Sequence, residues 1–356
     1  MLTHVFHSLS LFPSISSLNN PLKPPQIPPL HSSPVTIETL ISKIFHHHRP
    51  SITTINSRLS GFLRHSYTFI IIFMAEDFTV HIREVWSCNL DSEFRLIRSI
   101  IDDFPFVAMD TEFPGVVFWG VGGRSYSTSM SSVTHYSLLK QNVDALKLIQ
   151  LGLTLADSHG NLPTLGNPKC RYIWQFNFMD FDVEHDDHAP DSIELLRKSG
   201  IDFKKNRTNG VDSFKFAELM MSSGLVCNDD CITWVTFHCA YDFGYLVKVL
   251  TQEPLPGDLS QFDIMLKIFF GQRVFDVKHI IKFCDGLYGG LDRVASALAV
   301  ERTVGQSHQA GSDSLLTWLV FLKIRASYFS NNGSIDKYAR VLYGMMIPKA
   351  RNLVLF

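Results

Sequence analysis

The sequence predicts a single mixed α/β sheet covered by helices on both faces. Three observations lead there. The stretch 106–115 is an apolar strand with two carboxylates towards its end. An antiparallel hairpin follows, with residues 149–155 returning as 172–178 across the turn 157–161. Beyond it, short apolar strands alternate with helical stretches, which demands parallel crossovers. The chain of 356 residues is long enough for one large domain. We place that domain at residues 74–345, with a tail at 346–356.

The first strand ends in two carboxylates, Asp110 and Glu112. Residues two apart on a strand point to the same face, so the two acids project side by side. Like charges at that separation repel, and each is costly near a core without a partner. A divalent cation held by oxygen ligands relieves both problems. An isolated Asp-x-Glu is also what a strand running into a polar turn looks like. The decision therefore rests on acids further along.

Before the strand, Asp91 or Ser92 can cap a helix that presents Phe94, Ile97, Ile100, Ile101 and Phe104 on one side. After it come a Gly- and Ser-rich loop at 120–132 and a helix over 136–148. Two helices after the hairpin start near Asp191 and Asp212 and stop at Gly200 and Gly224. Residues 232–237 read as a strand buried on both faces and parallel to the first. A helix opens at 241–248, and 274–277 reads as an edge strand. Helices over 277–283, 291–298 and 309–328 complete the domain.

Asp242 begins the helix after the strand that ends at Phe237. Ligands of open α/β sheets bind beyond the carboxyl ends of the strands, so Asp242 shares a rim with Asp110 and Glu112 if their strands are neighbours. The last acid, Asp313, lies five residues after His308. Five residues along a helix turn two side chains roughly 140° apart, so this is not a same-face pair. His308 is expected at or just before the helix start, with Asp313 one turn in, both addressing one site from different sides.

Composition bounds the rest. Charged residues are 19% of the chain and the formal net charge is −2. Bulk electrostatic capture of nucleic acid is thereby excluded, whereas an enzyme that grips a few nucleotides is not. Six cysteines are spread too thinly for a disulfide scaffold, and Cys227 and Cys231 lack a second pair to complete a zinc set. A reducing compartment is expected. Residues 1–73 differ from all that follows: they are rich in Ser, Pro, His and Phe, with Glu38 as their one acid. They read as an upstream extension, an organelle leader or a disordered tail. The apolar run 68–73 is far too short to span a bilayer.

Taken together, Asp110, Glu112, Asp242, His308 and Asp313 follow a pattern that resembles the histidine branch of the DEDD exonuclease superfamily. Longer blocks carry the likeness to one family. They include Met109-Asp-Thr-Glu-Phe-Pro-Gly115, Ile149-Gln-Leu-Gly-Leu-Thr154, Gln175-Phe-Asn-Phe178, Trp234-Val-Thr-Phe-His238, Tyr241-Asp-Phe-Gly-Tyr245, Asp276-Val-Lys-His279 and His308-Gln-Ala-Gly-Ser-Asp313. These resemble, in order over residues 77–345, the Caf-one/Pop-two family of messenger-RNA deadenylases, catalytic subunits of the Ccr–Not complex. The wording at 201–205 and 337–339 looks most like plant members. Cys239-Ala240 departs from the small residues usual there, and residues 1–73 have no counterpart.

The resemblance implies an RNase-H-like fold and 3′→5′ removal of AMP from poly(A) with two divalent ions, Mg²⁺ or Mn²⁺. It implies that Asp110 bridges both ions, that Glu112 and Asp313 complete one site, and that Asp242 supports the other. His308, of a residue type with an unperturbed pKa of about 6.5, is implied as general base. The implied partners are the poly(A) tail and the scaffold and second deadenylase subunits of the complex, in nucleus and cytoplasm, with no membrane. Base-recognising residues are not identified. A catalytically silent subunit of the same fold is the rival reading, as is an exonuclease acting on other 3′ ends.

Overall fold

The computed structural model describes residues 78–120, 130–228, 231–329 and 334–345. The expectations for residues 1–73 and 346–356, and for most of the loop at 120–132, lie outside the described residues. Six strands form one sheet: β1 (Thr79–Val85), β2 (Phe106–Glu112), β3 (Gln150–Ala156), β4 (Cys170–Asn177), β5 (Thr233–Thr236) and β6 (Val274–Asp276), in the order β1-β4-β3-β2-β5-β6. β3 pairs antiparallel with both β2 and β4, which is the expected hairpin. β5 runs parallel to β2 and β6 parallel to β5. The mixed α/β sheet is therefore as the sequence implied, and β6 is an edge strand.

One helical layer packs on each face. On the first lie α1 (Leu90–Ile100), α2 (Ser132–Ala145), α5 (Ser213–Met221), α6 (Ala240–Thr251) and α7 (Leu259–Phe270). Their buried side chains, including Phe94, Phe216, Phe243 and Phe262, pack with Val107 and Met109 of β2. The second face is covered by α8 (Val277–Ile280), α9 (Leu291–Ala297) and the long α10 (Ala310–Tyr328). There Trp318 and Phe321 pack with Ala108 of β2 and Phe275 of β6. β2 thus buries alternate residues on opposite faces, which explains its nearly continuous apolar sequence. The short α3 (Pro190–Lys198) and α4 (Phe203–Asn209) pack around Phe181 beside the sheet.

Several expectations need correction. β1, α4 and α7 were not anticipated. β1 is an edge strand with a burial pattern open to solvent, so its polar residues hid it. α4 is mostly polar, and only Phe203 and Asn206 are buried. α7 carries a clear cap, because Asp258 accepts from the backbone of Ser260 and Gln261 at 2.9 and 3.0 Å. The helix after β1 begins at Leu90 rather than behind an Asp91 or Ser92 cap. Asn89 shapes its entry instead, accepting from Trp86 N at 2.7 Å. α2 starts at Ser132, four residues earlier than read, and Ser131 caps it through Thr134 N. α3 does stop where expected: Gly200 adopts a left-handed φ of 93°.

The start of α10 lies directly against β3. A Cβ at Gly152 would sit 1.9 Å from the carbonyl oxygen of Ala310. Only a glycine permits that approach. Two glutamines then fasten the helix start to the sheet: Gln175 accepts from Gly311 N at 2.9 Å and Gln150 from Ala310 N at 3.4 Å. These bonds satisfy backbone donors that a helix start leaves without partners. We expect Gly152→Ala to push α10 off the sheet, lowering the urea midpoint by the equivalent of ~1–3 kcal/mol, the usual cost of overpacking. An unchanged midpoint would show that this approach is not tight.

Candidate active site

Asp110 and Glu112 end β2 on the face that α10 covers, and Asp110 sits opposite Gly152 of β3. The space left by that glycine admits the first turn of α10, which carries Asp313. His308 stands two residues before the helix, as expected, with a left-handed φ of 63°. Its backbone N–H donates to Asp313 Oδ2 at 2.9 Å. The five-residue spacing thus has a local cause: the backbone folds over so that His308 N reaches the Asp313 carboxylate. Glu112, His308 and Asp313 offer ligand atoms that all lie within 4.8 Å of one another.

Asp242 arrives from the opposite layer, in the first turn of α6. It stands on the same rim because β2 and β5 are parallel neighbours. Thr111, the residue between the two β2 acids, points to that side and donates its hydroxyl to Asp242 Oδ1 at 2.6 Å. All five expected residues therefore meet at one end of the sheet. Glu112, His308 and Asp313 form the tight group, while Asp110 and Asp242 flank it.

Burial raises the pKa of Asp110 and Glu112 well above the carboxylate range, and the charges of Asp313 and Asp242 add to this. Burial also pushes Asp242 up to about 7, against the opposing hydrogen bond from Thr111. Asp313 is raised by burial too, partly offset by Arg302. Arg302 was not singled out from the sequence, yet its guanidinium lies 2.6 Å from Asp313 Oδ1 and 2.7 Å from Asp292 Oδ1. Ser307 donates to the other Asp292 oxygen at 2.8 Å, which fastens the loop before His308. An isolated Arg in a polar loop gives no periodic signal; only the fold brings it to Asp313. Thr111 could have been found from β2 alternation, since it is the polar residue facing the other layer.

A donor set of carboxylates with one imidazole suits a hard divalent cation. The electrostatics give a testable sign. A carboxyl whose folded pKa is raised prefers to be protonated in the folded state. With EDTA present, these groups carry no penalty below about pH 4 and a growing one as pH rises through about 7, where Asp242 ionises. The thermal midpoint in EDTA should therefore fall across that window and be restored by Mg²⁺ or Mn²⁺ at the upper end. Asp110→Asn should raise the EDTA midpoint at pH 7.5 by about 2 °C, the effect of ~1 kcal/mol in a domain of roughly 270 residues. It should also abolish most of the metal-induced gain. A midpoint indifferent to metal and to Asp110→Asn would exclude strained ionised acids here.

Comparison with known proteins identifies the relatives of this chain. A family model described as CAF1 family ribonuclease matches residues 85–220. "Probable CCR4-associated factor 1 homolog 7" of Arabidopsis thaliana is 55% identical over 280 residues, spanning 79% of this chain and 98% of the relative. "Poly(A) ribonuclease pop2" of Schizosaccharomyces pombe is 47% identical over 265 residues, 74% of this chain and 75% of the relative. Among solved structures, S. pombe Pop2p in a form bound to Mg²⁺ and Mn²⁺ superposes with a TM-score of 0.66 at 46% identity. It covers 74% of this chain and 99% of its own. A yeast structure of a NOT1 MIF4G domain co-crystallized with CAF1 gives a TM-score of 0.60 at 32% identity, over 74% and 96%. The RNase-H-like sheet expected from the sequence is the fold of these structures. With 55% identity over 280 residues to a relative that it spans almost completely, this chain belongs to the CAF1 family of ribonucleases.

Proposed function

We propose that this protein is a poly(A)-specific 3′→5′ exoribonuclease that shortens messenger-RNA tails by releasing AMP. The observation that carries the reading is the meeting of Glu112, His308 and Asp313 within 4.8 Å, flanked by Asp110 and Asp242. Asp110, Glu112, Asp242 and Asp313 are the residues that would hold two divalent cations, Mg²⁺ or Mn²⁺. When bound, such ions stabilise charge on the attacked phosphate. Burial and neighbouring like charge make the ionised forms of Asp110 and Glu112 costly, and a bound cation would offset that cost.

His308 takes the proton of the attacking water at a ring nitrogen. Its left-handed backbone holds the ring over the rim, and its own amide fixes Asp313. Arg302 orients Asp313 from the far side. Relatives named for CCR4 association, and a solved neighbour that pairs CAF1 with a NOT1 domain, support a place in the Ccr–Not complex beside its scaffold and second deadenylase. Nucleus and cytoplasm are the proposed compartments. Among the described residues, no helix is long and apolar enough to cross a membrane.

A 5′-labelled RNA with an oligo(A) tail, incubated with the protein and Mg²⁺ or Mn²⁺, should shorten one nucleotide at a time and pause at the end of the tail. EDTA and Asp110→Ala should abolish the ladder. His308→Ala should slow it by about 10²–10⁴-fold, the usual worth of a general base. Equal rates on poly(U) or single-stranded DNA would reject the poly(A) assignment. Failure of folded protein to shorten any tail, alone or with its scaffold, would favour the silent subunit.

A further inference from the structure

Next to the acids lies a surface that the chemistry above does not use. Its anchor is Asp276, a fully buried carboxylate at the end of β6. It accepts from the backbone of His238 at 2.8 Å, of Lys278 at 2.9 Å and of Tyr343 at 2.8 Å, and lies 3.4 Å from Cys239 Sγ. One side chain thus joins the β5–α6 turn, the β6–α8 turn and the C-terminal segment. The β5–α6 turn is the one that delivers Asp242.

Aromatic rings and cations alternate over this anchor. The Tyr343 ring has Lys282 Nζ at 4.4 Å, Lys278 Nζ at 5.5 Å and the His238 ring at 4.9 Å. Lys278 reaches on to the carbonyl of Gly289. Beside Gly289 stands Tyr288, 61% exposed, with the Arg293 guanidinium 4.0 Å from its ring centre. The adjacent Asp292 leads back through Arg302 to Asp313. The patch therefore borders the acid cluster at two points, Asp242 and Asp313. Among the described residues, Lys278, Lys282 and Arg293 form no ion pair.

We propose that this patch, built on Tyr288, Arg293, Lys278, Lys282 and Tyr343, is the track for the single-stranded RNA that lies upstream of the reacting 3′ end. Cations unpaired with protein carboxylates are placed to take phosphates, and the exposed Tyr288 ring, with the half-buried Tyr343 beside the cations, offers a stacking face to unpaired bases. Lysine is depleted from the cores of protein–protein interfaces, which disfavours a protein occupant. With a net charge of −2, the chain has no general attraction for RNA, so its grip must come from a local surface such as this one. The inference rests on the exoribonuclease reading and supplies the substrate contacts it lacks.

The test uses the full chain and fluorescein-labelled oligo(A) of about twenty nucleotides, followed by anisotropy in EDTA, where hydrolysis is not needed. Lys282→Glu/Arg293→Glu should weaken binding roughly ten-fold or more and flatten its salt dependence, as expected for two lost phosphate contacts. Tyr288→Ala should weaken it by about five-fold or more through lost stacking. Lys204→Glu/Lys215→Glu, the same charge change on α4 and α5, should leave binding unchanged. In Mg²⁺, the patch variants should lower the ratio of kcat/KM for the long tail to that for a di-adenylate, chiefly through KM. Wild-type affinity and salt slope in the double variant would overturn the proposal and leave the patch to a protein partner. So would a wild type that binds no oligo(A) in EDTA, or control variants that bind as weakly as the patch variants. A protein that binds as expected but does not hydrolyse would keep the track and remove only the nuclease reading.

Discussion

The constraint on which this structure depends is the burial of four carboxylates at one end of a sheet, with like charge adding to the cost at Asp110 and Glu112. Asp110, Glu112, Asp242 and Asp313 all have raised pKa values, with burial as the leading cause. Such a cluster costs stability, and proteins keep costly buried charge where function requires it. Two of the acids, Asp242 and Asp313, are held by groups other than carboxylates. Thr111 binds Asp242, the His308 amide binds Asp313, and Arg302 supplies the positive charge beside it. The Asp242 and Asp313 carboxylates are thereby fixed on the rim by contacts of the protein itself.

Two helical layers meet at that rim because of the sheet order. β5 lies beside β2, so the helix after β5 brings Asp242 to the place where β2 ends. α10 reaches the same place from the opposite face, over the gap left by Gly152. Neither layer could supply the whole set, since one strand end exposes only one residue in two to each side. Gln150 and Gln175 complete the arrangement by fixing the start of α10 on the sheet. The same logic continues at β6, where Asp276 ties three chain segments beneath the aromatic and basic surface. A rim of rigid strand ends thus serves both for gathering acids and for spreading rings and cations beside them.

Much of this was determined by the sequence alone. The alternation within Phe106–Glu112 set Asp110 and Glu112 side by side, and the hairpin, the parallel strand at Thr233–Thr236 and the edge strand at Val274–Asp276 followed from apolar runs between turns. The family blocks named all five residues that the fold gathers. Tertiary structure decided the rest, because it depends on contacts between residues far apart in the chain. β1 is a strand only because β4 offers it an edge, and α4 is a helix with few apolar side chains. Arg302 matters through Asp313 and Asp292, and Asp276 through His238 and Tyr343; neither shows its partners in local composition. Periodicity reports which face of an element is buried, whereas the identity of the neighbour across that face is set only when the chain has folded.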